Sequence, residues 1–392
     1  MKDRAGVRAW YALGIVVVAT LFGFVDRQVL VLVTEPLKRD MHLTDSRIGL
    51  LLGLGPGLFG ASGAIVTGWL ADRTARQVIL CGCVLFWSLA TAAFGIAHGF
   101  SELMIATVAV GLGEAALGPV FYSMAPDLFP GKTRPLANLI YYGAVTIGAG
   151  FGVALSGAVI GWVGAHRADL PAGLAALAAW RTAFILVAIP GVVIGPAILL
   201  IGQVKRQSAR TQEVHQPSFA GYLRHNGLAF GAFCGSIGFY GMALYALFAW
   251  MPPHLIRDLH LSAQATGYGI GAAISLGTVV GLVAAGVGVK VLNRRFGVIT
   301  PLRLYQTAMI CAAAPLVLQL VANQPWKVYL LVGIQIAVSA MGTALSPTLM
   351  QDIAPAELRG RVIGAATFAY AAIAALAPIL VGGVSDLLGA KA

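Results

Sequence analysis

Long apolar segments, each about the length of a membrane-crossing α-helix, recur along almost the whole chain. An α-helix needs ~20 residues to cross ~30 Å of hydrocarbon. Read with a window of that length, the 392-residue sequence predicts eleven helices. Their ranges are 10–34, 48–71, 77–97, 101–125, 135–163, 179–202, 226–251, 265–290, 302–322, 326–351 and 360–385. We number them 1 to 11, and they predict a polytopic membrane protein.

The composition favours helices over a transmembrane barrel. Charged residues make up 10% of the chain, against ~25% in soluble domains. The apolar runs are long and do not alternate, whereas barrel strands have ~10 residues of strict alternation. All four cysteines fall within apolar segments, which argues against a disulfide framework or a zinc site. We therefore expect an all-α membrane protein with no metal and no cofactor.

The basic residues are distributed unevenly between alternate loops. The amino terminus and the loops after helices 2, 4, 6, 8 and 10 hold 17 Lys and Arg, and the opposite side holds 8. The positive-inside rule then predicts a cytoplasmic amino terminus. The net charge of +11 is explained by this topology, so we expect no nucleic-acid partner. The predicted location is a bacterial-type cytoplasmic (inner) membrane, crossed many times.

Two sequence matches indicate an internal repeat. LKRDMHLTDSRIG (37–49) matches LIRDLHLSAQATG (255–267) at an offset of 218, and DLFPGKTR (127–134) matches DIAPAELR (352–359) at 225. The matches predict an amino-terminal bundle over 1–202, a cytoplasmic linker over 203–225 and a carboxyl-terminal bundle over 226–392. Substrate sites in such parallel repeats lie near the midplane, where the two halves meet.

The repeat also predicts a twelfth helix near position 405, beyond Ala392. Either the protein has eleven helices, or the sequence ends short of the natural one, and we expect the second. The predicted fold is thus two pseudo-symmetric six-helix bundles, with the twelfth helix apparently absent from this chain.

Three ionisable residues lie deep within predicted helices: Asp26 and Arg27 in helix 1 and Glu114 in helix 4. Each costs roughly 2.5–3.5 kcal/mol at a helix centre on insertion scales. They should therefore face a cavity or one another. Helical periodicity places Thr20, Gly23 and Arg27 on one face of helix 1, and Thr107, Gly111, Glu114 and Gly118 on one face of helix 4.

We predict that Arg27 binds an anionic group and pairs with Glu114 or Asp26 when the site is empty. A carboxylate released from an arginine in a nonpolar cavity binds a proton more readily. Asp26 and Glu114 are therefore the candidate proton-coupling residues. The alternative is a permanent ion pair that only fixes helix packing, although such a pair stabilises little relative to apolar side chains.

Aromatic and polar side chains near these charges suit an amphipathic ligand with an anionic head and an apolar tail. The further candidate substrate-binding residues are Thr107, Tyr122, Asn138, Tyr141 and Tyr142 in the first half and Tyr240, Tyr245, Phe368 and Tyr370 in the second. For each aromatic residue, simple packing in the core is an equally good explanation.

The segment GWLADRTARQ (68–77) resembles the G-x-x-x-D-R-x-x-R loop signature of the major facilitator superfamily. The resemblance implies two six-helix bundles that transport by alternating access. It also implies a cytoplasmic gate, for which the candidate residues are Gly68, Asp72, Arg73, Arg76, Asp127 and Arg134. In the second half, Lys290 stands where the signature has aspartate.

Three further pieces, VDRQVL (25–30), GLGEAALGP (111–119) and SMAPDLFPGKTR (123–134), resemble the spinster-like branch of that superfamily. Members of that branch are associated with lysolipids and sphingoid phosphates. The first two pieces are also similar to organic-anion:proton symporters. Both branches usually carry an arginine where this chain has Thr107.

The sequence therefore predicts a secondary active transporter, a monomer coupled to protons, that moves an amphipathic, lipid-like anion. A symporter of small sugar acids and a passive lipid facilitator or scramblase remain as alternatives. An enzyme is not expected, because the chain lacks H-E-x-x-H, G-x-S-x-G and phosphate-loop motifs.

Overall fold

The computed structural model describes residues 6–129, 133–204, 219–319, 321–346, 349 and 358–389. It does not extend to the side chains of Asp72, Pro135, Val298 and Arg359. Most of the predicted linker, 203–225, lies outside the described residues. The same holds for 352–357, which form most of the second copy of the D-x-x-P-x-x-x-R repeat.

Within those ranges, eleven helices are long and apolar enough to cross a membrane, which confirms the predicted number. The described residues contain no β-strand, so the all-α fold class is confirmed as well. Spans 1 to 11 are Val7–Leu32, Asp45–Ala71, Arg76–Ile96, Phe100–Leu128, Leu136–Ala165, Ala179–Leu199, Phe219–Arg257, Ala263–Phe296, Thr300–Gln319, Pro325–Thr343 and Arg361–Gly389.

Spans 2 and 4 are not continuous α-helices. Span 2 has an α-helix over Asp45–Gly53, a π-helical turn over Leu54–Phe59 and a second α-helix over Gly60–Arg73. The turn contains Pro56, which has no N–H to donate to the helix ladder. Span 4 is divided into Phe100–Glu114 and Leu117–Leu128, so that it breaks at its buried carboxylate. Span 9 is divided into Thr300–Cys311 and Ala313–Gln319.

The shorter elements lie between the spans. They are the α-helices Thr34–Met41 and Ala172–Ala175 and the 3₁₀ turns Arg167–Asp169 and Gly297–Ile299. The helix of span 5 begins earlier than the span itself and covers Thr133–Ala165, and the helix of span 11 covers Arg359–Gly389.

The internal repeat has a structural counterpart in the loop before span 2 and the loop before span 8. His42 and His260 are the two non-glycine residues with positive φ among those described, at 49° and 54°. Each loop then ends in a hydroxyl cap: Thr44 accepts from the Arg47 N–H at 3.3 Å, and Ser262 accepts from the Ala265 N–H at 3.1 Å. The repeated sequence H-L-[TS] thus forms the same kind of turn in both halves.

The two halves pack against each other along two seams, span 2 against span 11 and span 5 against span 8. Glycines allow backbone to meet backbone there. A Cβ added at Gly53 would lie 2.4 Å from the Ala375 carbonyl oxygen, and one at Gly271 would lie 2.6 Å from the Gly150 carbonyl oxygen. Both seams lie toward the end where span 2 begins and span 7 ends. We call this end of the molecule the outer end, because the distribution of charge between the loops predicts that it lies outside the cytoplasm.

The outer seam gives a test within span 5. A methyl group at Gly150 would lie 2.2 Å from Ser275 Oγ, whereas one at Gly143 meets nothing within 4 Å. Both substitutions raise helix propensity by about 1 kcal/mol, but overpacking costs about 1–3 kcal/mol. We expect Gly150→Ala to lower the melting temperature in detergent and Gly143→Ala to leave it unchanged or raise it. Equal melting temperatures would contradict the seam.

Candidate functional site

Arg27 and Glu114 form an ion pair between spans 1 and 4. Arg27 Nε donates to Glu114 Oε2, and the exposed fractions of the two side chains are 34% and 3%. Gly23, one turn before Arg27, lies beside the carboxylate, and a Cβ there would make an ordinary van der Waals contact with Glu114 at 3.8 Å. The sequence allows either Glu114 or Asp26 as the partner of Arg27, and in the structure the partner is Glu114.

A polar cavity of about 200 Å³ surrounds this pair. Its walls come from spans 1, 4 and 5 and include Thr20, Gly118 and Tyr141. Tyr141 is buried and stacks on Phe121, with the ring centroids 4.2 Å apart. The arrangement leaves space beside the guanidinium for a small charged group.

A second cavity, of about 160 Å³, lies on the other side of Arg27, between the two halves. Span 7 contributes Tyr245 and Phe248 to it, and span 1 contributes Gln28 next to Arg27. Tyr245 stands at the repeat-equivalent position of Arg27, 218 residues later. Arg27 is therefore flanked by a polar cavity in the first half and a largely aromatic and aliphatic wall from the second.

The other predicted substrate-binding residues divide into those near this site and those away from it. Tyr122 contacts Tyr141 edge to face, with centroids 5.4 Å apart, and is 47% exposed. Tyr370 packs against Gly241 of span 7 and interacts with Tyr240 and Tyr245. Tyr122 is thus next to Tyr141 of the polar cavity, and Tyr370 is next to Tyr245 of the second cavity.

Three of the predicted residues lie outside the walls of the two cavities beside Arg27. Tyr142 is 45% exposed, next to Tyr141 in the sequence but on another face of span 5. Asn138 is partly buried, and its Oδ1 has no hydrogen-bond partner in the described structure. Phe368 is 39% exposed and, two positions from Tyr370, points away from it on the helix.

Asp26 does not share the cavity of the ion pair. It is 6% exposed and faces spans 3, 4 and 6, where it lines a small cavity with Thr91, Thr107 and Phe184. Trp87 and Thr91 of span 3 are polar neighbours of its carboxylate. Thr107 thus lies with Asp26 rather than with Glu114, and Arg27 lines the cavities of both predicted proton-coupling carboxylates.

The candidate gate residues at the opposite, inner end make contacts within the first half. Arg76 is buried and donates to the Ser123 carbonyl, to Asp127 Oδ2 at 2.5 Å and to the Val204 carbonyl at 3.4 Å. It thereby joins the ends of spans 3, 4 and 6.

The remaining gate candidates lie near that joint. Arg73 stacks over Trp69 of its own helix at 4.0 Å, and Gly68 lies near Pro119. Arg134 is exposed, and the side chain of Asp72 lies outside the described residues. The gate role of the whole set stays a prediction.

The sequence reasoning missed an ionic cluster that joins the two halves at the outer end. We call it the outer cluster, and it consists of Glu35, Lys38, Asp45, Ser46, Arg257, Ser385 and Asp386. Arg257 of span 7 donates to Glu35 Oε1 at 2.6 and 2.9 Å and to the two carboxylate oxygens of Asp45 at 3.0 and 3.2 Å. One guanidinium thus holds two carboxylates of the opposite half.

The same cluster caps span 2 from across the interface. Asp386 of span 11 accepts from the Asp45 and Ser46 backbone N–H groups, each at 2.8 Å, and from Ser46 Oγ at 2.5 Å. A carboxylate at a helix amino terminus satisfies unpaired donors and interacts favourably with the helix dipole. The only signal for it in the sequence is the R-D pair of the repeat, whose second copy contains Arg257.

Comparison with protein-family models decides the family. Residues 15–378 match the model of the Major Facilitator Superfamily. The chain belongs to the Major Facilitator Superfamily. The prediction made from the loop signature at 68–77 is confirmed, and the protein is a membrane transporter of that superfamily.

Relatives in this superfamily carry different names. An "MFS-type efflux pump" of Mycolicibacterium smegmatis is 26% identical over 98% of this chain and 87% of that protein. A "Hexuronate transporter" of Bacillus subtilis is 25% identical over 63% of this chain, and a "Sphingosine-1-phosphate transporter SPNS2" of Xenopus tropicalis is 27% identical over 63%. These two matches cover 56% and 46% of the relatives' own lengths.

Among solved structures, the chain is similar to a bacterial homolog of the human lysosomal transporter Spinster. The inward-facing, occupied form gives a TM-score of 0.82 at 22% identity and covers 99% of this chain and 84% of that one. The inward-facing, unoccupied form gives 0.80. The likeness shows the shared fold.

The ion pair of this major-facilitator transporter can be tested by stability alone. Removing one partner of a buried pair costs about 3–5 kcal/mol, while replacing both by apolar residues is often neutral. Because Arg27 keeps a third of its surface exposed, we expect the smaller end of that range. Glu114→Leu should lower the melting temperature, and adding Arg27→Met should restore it. Additive losses in the double variant would show that the two residues are not coupled.

Proposed function

We propose that this transporter moves an amphipathic organic anion by alternating access, and that Arg27 binds the anionic group. The observation that carries the proposal is the position of Arg27 between two unlike walls. Glu114, Thr20 and Tyr141 surround it on one side, and Tyr245 and Phe248 face it on the other. A ligand with a charged head and an apolar body satisfies both walls at once.

The ion pair supplies a mechanism for exchange. In the empty site Arg27 is occupied by Glu114, so an incoming anion must compete for the guanidinium. A carboxylate left in a nonpolar cavity without its arginine takes up a proton more readily. Binding of the anion would then be accompanied by protonation of Glu114, and Asp26, whose cavity Arg27 also lines, is the second proposed proton site.

Two substrate classes follow from the supporting observations. The aromatic and aliphatic wall and the relatives named for sphingosine-1-phosphate and Spinster favour a lysolipid or a sphingoid phosphate, which we take as the first candidate. The polar cavity of about 200 Å³ and the relatives named for hexuronate and galacturonate favour a small sugar acid as the second.

The outer cluster is the proposed outer gate. It joins the halves only while the outer end is closed, since Arg257 and Asp386 belong to one half and their partners to the other. With a cytoplasmic amino terminus, the end that the cluster closes is the one outside the cytoplasm. At the inner end, the proposed gate elements are Gly68, Asp72, Arg73, Arg76, Asp127 and Arg134. We also propose that the transporter works as a monomer in a bacterial-type inner membrane.

Transport in proteoliposomes tests the role of Arg27. A hydrogen-bonded charged partner contributes about 1.5–3 kcal/mol, which corresponds to about a 10- to 150-fold change in affinity. We expect Arg27→Ala to weaken uptake by at least that lower factor. The control is Arg39→Ala, which changes an exposed arginine of the short helix Thr34–Met41 before span 2. Uptake by Arg27→Ala at the level of the unaltered protein would contradict the proposal.

The same preparation separates the candidate substrates and the passive alternative. A lysophospholipid, a sphingoid phosphate and a hexuronate are offered with and without an inwardly directed proton gradient. Accumulation above equilibrium that needs the gradient supports proton coupling. Equilibration of a lipid without accumulation would instead indicate a facilitator or scramblase. Saturable uptake of the hexuronate alone would replace the first candidate by the second.

The gate is tested at the other end of the molecule. Arg257→Gln removes the charge that holds Glu35 and Asp45, whereas Arg39→Gln changes the repeat-equivalent, exposed arginine. We expect Arg257→Gln alone to open the outer end, measured as longer distances between spin labels placed on the loops before spans 2 and 8. Unchanged distances would show that the glycine seams hold the outer end without the cluster.

A further inference from the structure

A cluster of basic residues lies where span 8 ends and span 9 begins, at the inner end of the molecule. We call it the basic patch, and it consists of Lys290, Arg294, Arg295 and Arg303. All four residues are exposed, and none of them forms an ion pair with a described residue. From position 259 to position 351 the sequence contains no Asp or Glu. Spans 8 to 10 therefore supply no acid that offsets the charge of the patch.

Two arginines of the patch come from different helices and approach the same aromatic ring. The guanidinium carbons of Arg295 and Arg303 lie 5.4 and 4.4 Å from the centroid of the Phe296 ring. Both distances are within the ~6 Å range of a cation–π contact, but the ring carries no net charge. Two positive groups are thus held beside one side chain without a counter-ion, an arrangement that an anion bound next to them would stabilise.

The helix dipoles explain only part of the patch. Arg294 and Arg295 lie in the last turn of the helix Ala263–Phe296, where the dipole favours a positive charge. Arg303 lies in the first turn of the helix Thr300–Cys311, which contains no acidic residue. A cation is disfavoured at that end of a helix, so the position of Arg303 calls for negative charge from another source.

The repeat does not require these charges either. Positions 77 and 85, the repeat-equivalents of Arg295 and Arg303, are Gln and Leu, and Lys290 stands where the signature has aspartate. In the first half, Arg76 is bonded to Asp127. The equivalent of that acid, at position 352, lies outside the described residues. The two arginines beside Phe296 are thus an addition of the second half.

A stripe of exposed valines leads along span 8 to the patch. We call it the valine stripe, and its members are Val280, Val283, Val287 and Val291. All four are more than half exposed, and their spacing of three or four residues places them on one face of the helix. At 100° per residue the stripe continues into Arg294, with Lys290 on one flank and Arg295 on the other. A charged surface thus follows directly on an apolar one that faces the membrane.

We propose that the basic patch and the valine stripe bind one anionic phospholipid from the membrane leaflet at the inner end. Arg295 and Arg303 bind its phosphate, and its acyl chains lie along the valines. Each base of a juxtamembrane cluster raises the affinity for anionic lipid about fivefold. A soluble phosphate would use the arginines but leave the valines uncovered, so the stripe favours a lipid. The lipid is bound and not transported, and the site does not depend on the proposed function.

Thermal melting of the purified full chain in a non-ionic detergent tests the site. Phosphatidylglycerol, zwitterionic phosphatidylcholine and soluble glycerol 1-phosphate are titrated separately at constant ionic strength. We expect a saturable rise in melting temperature at concentrations of phosphatidylglycerol at least tenfold lower than of phosphatidylcholine, and no rise with glycerol 1-phosphate. In the double variant Arg295→Gln/Arg303→Gln, the half-saturating concentration of phosphatidylglycerol should increase about 25-fold, because two bases are lost.

The matched control is Arg39→Gln/Arg47→Gln, which removes the same charge from two exposed arginines at the other end of the molecule. Arg47 also lies over an aromatic ring, 5.4 Å from the centroid of Phe100. We expect this control to keep the response to phosphatidylglycerol. Arg27→Ala should keep it as well, because the lipid site is separate from the cavities beside Arg27.

Equal responses to the two phospholipids, an unchanged response of the Arg295→Gln/Arg303→Gln variant, or an equal loss in the matched control would overturn the site. Should that double variant fail to fold, each single variant, with an expected change of about fivefold, decides instead. A response to glycerol 1-phosphate as strong as that to phosphatidylglycerol would replace the lipid by a soluble phosphate. Loss of the response in Arg27→Ala alone would assign the lipid to the transport site. A retained response in a protein that moves none of the offered anions removes only the proposed function.

Discussion

A partly buried guanidinium and two buried carboxylates lie in a bundle that offers them little water, and the first half is organised around that constraint. Arg27 is satisfied by Glu114, at a point where span 4 breaks and Gly23 of span 1 lies beside the carboxylate. Adjacent residues on a helix point about 100° apart. Asp26 therefore contacts span 3, whereas Arg27, the next residue, contacts span 4 and the second half.

The number of spans and the internal repeat could be predicted because each is determined by short, continuous stretches of sequence. Twenty consecutive apolar residues specify a crossing helix whatever surrounds them, and the H-L-[TS] turn is fixed by its own letters. His42 and His260 show this most clearly, since each adopts the same left-handed conformation before the same kind of cap. The polar face of helix 1 was readable for the same reason.

Contacts between distant segments could not be predicted in the same way. Arg257 and Glu35 are 222 positions apart in the sequence. A hydropathy profile does not show which distant residues meet in the fold. Likewise the sequence left open which acid pairs with Arg27, and it grouped Thr107 with Glu114 because both lie on one helix face. In the structure Gly55 of the π turn packs against that threonine, and Thr107 lines one cavity with Asp26.

The glycine seams have an energetic consequence for a molecule that must open and close. Apolar burial stabilises by ~25 cal/mol per Å², so an interface of large aliphatic side chains would resist separation strongly. At Gly53 and Gly271 the halves meet through backbone atoms instead, and parting them wets little hydrocarbon. The closed outer end is thus held by the charges of the outer cluster together with an apolar cluster that includes Leu32 and Val153 of the first half and Leu255 and Ile270 of the second, and water that enters on opening can replace only the charged contacts.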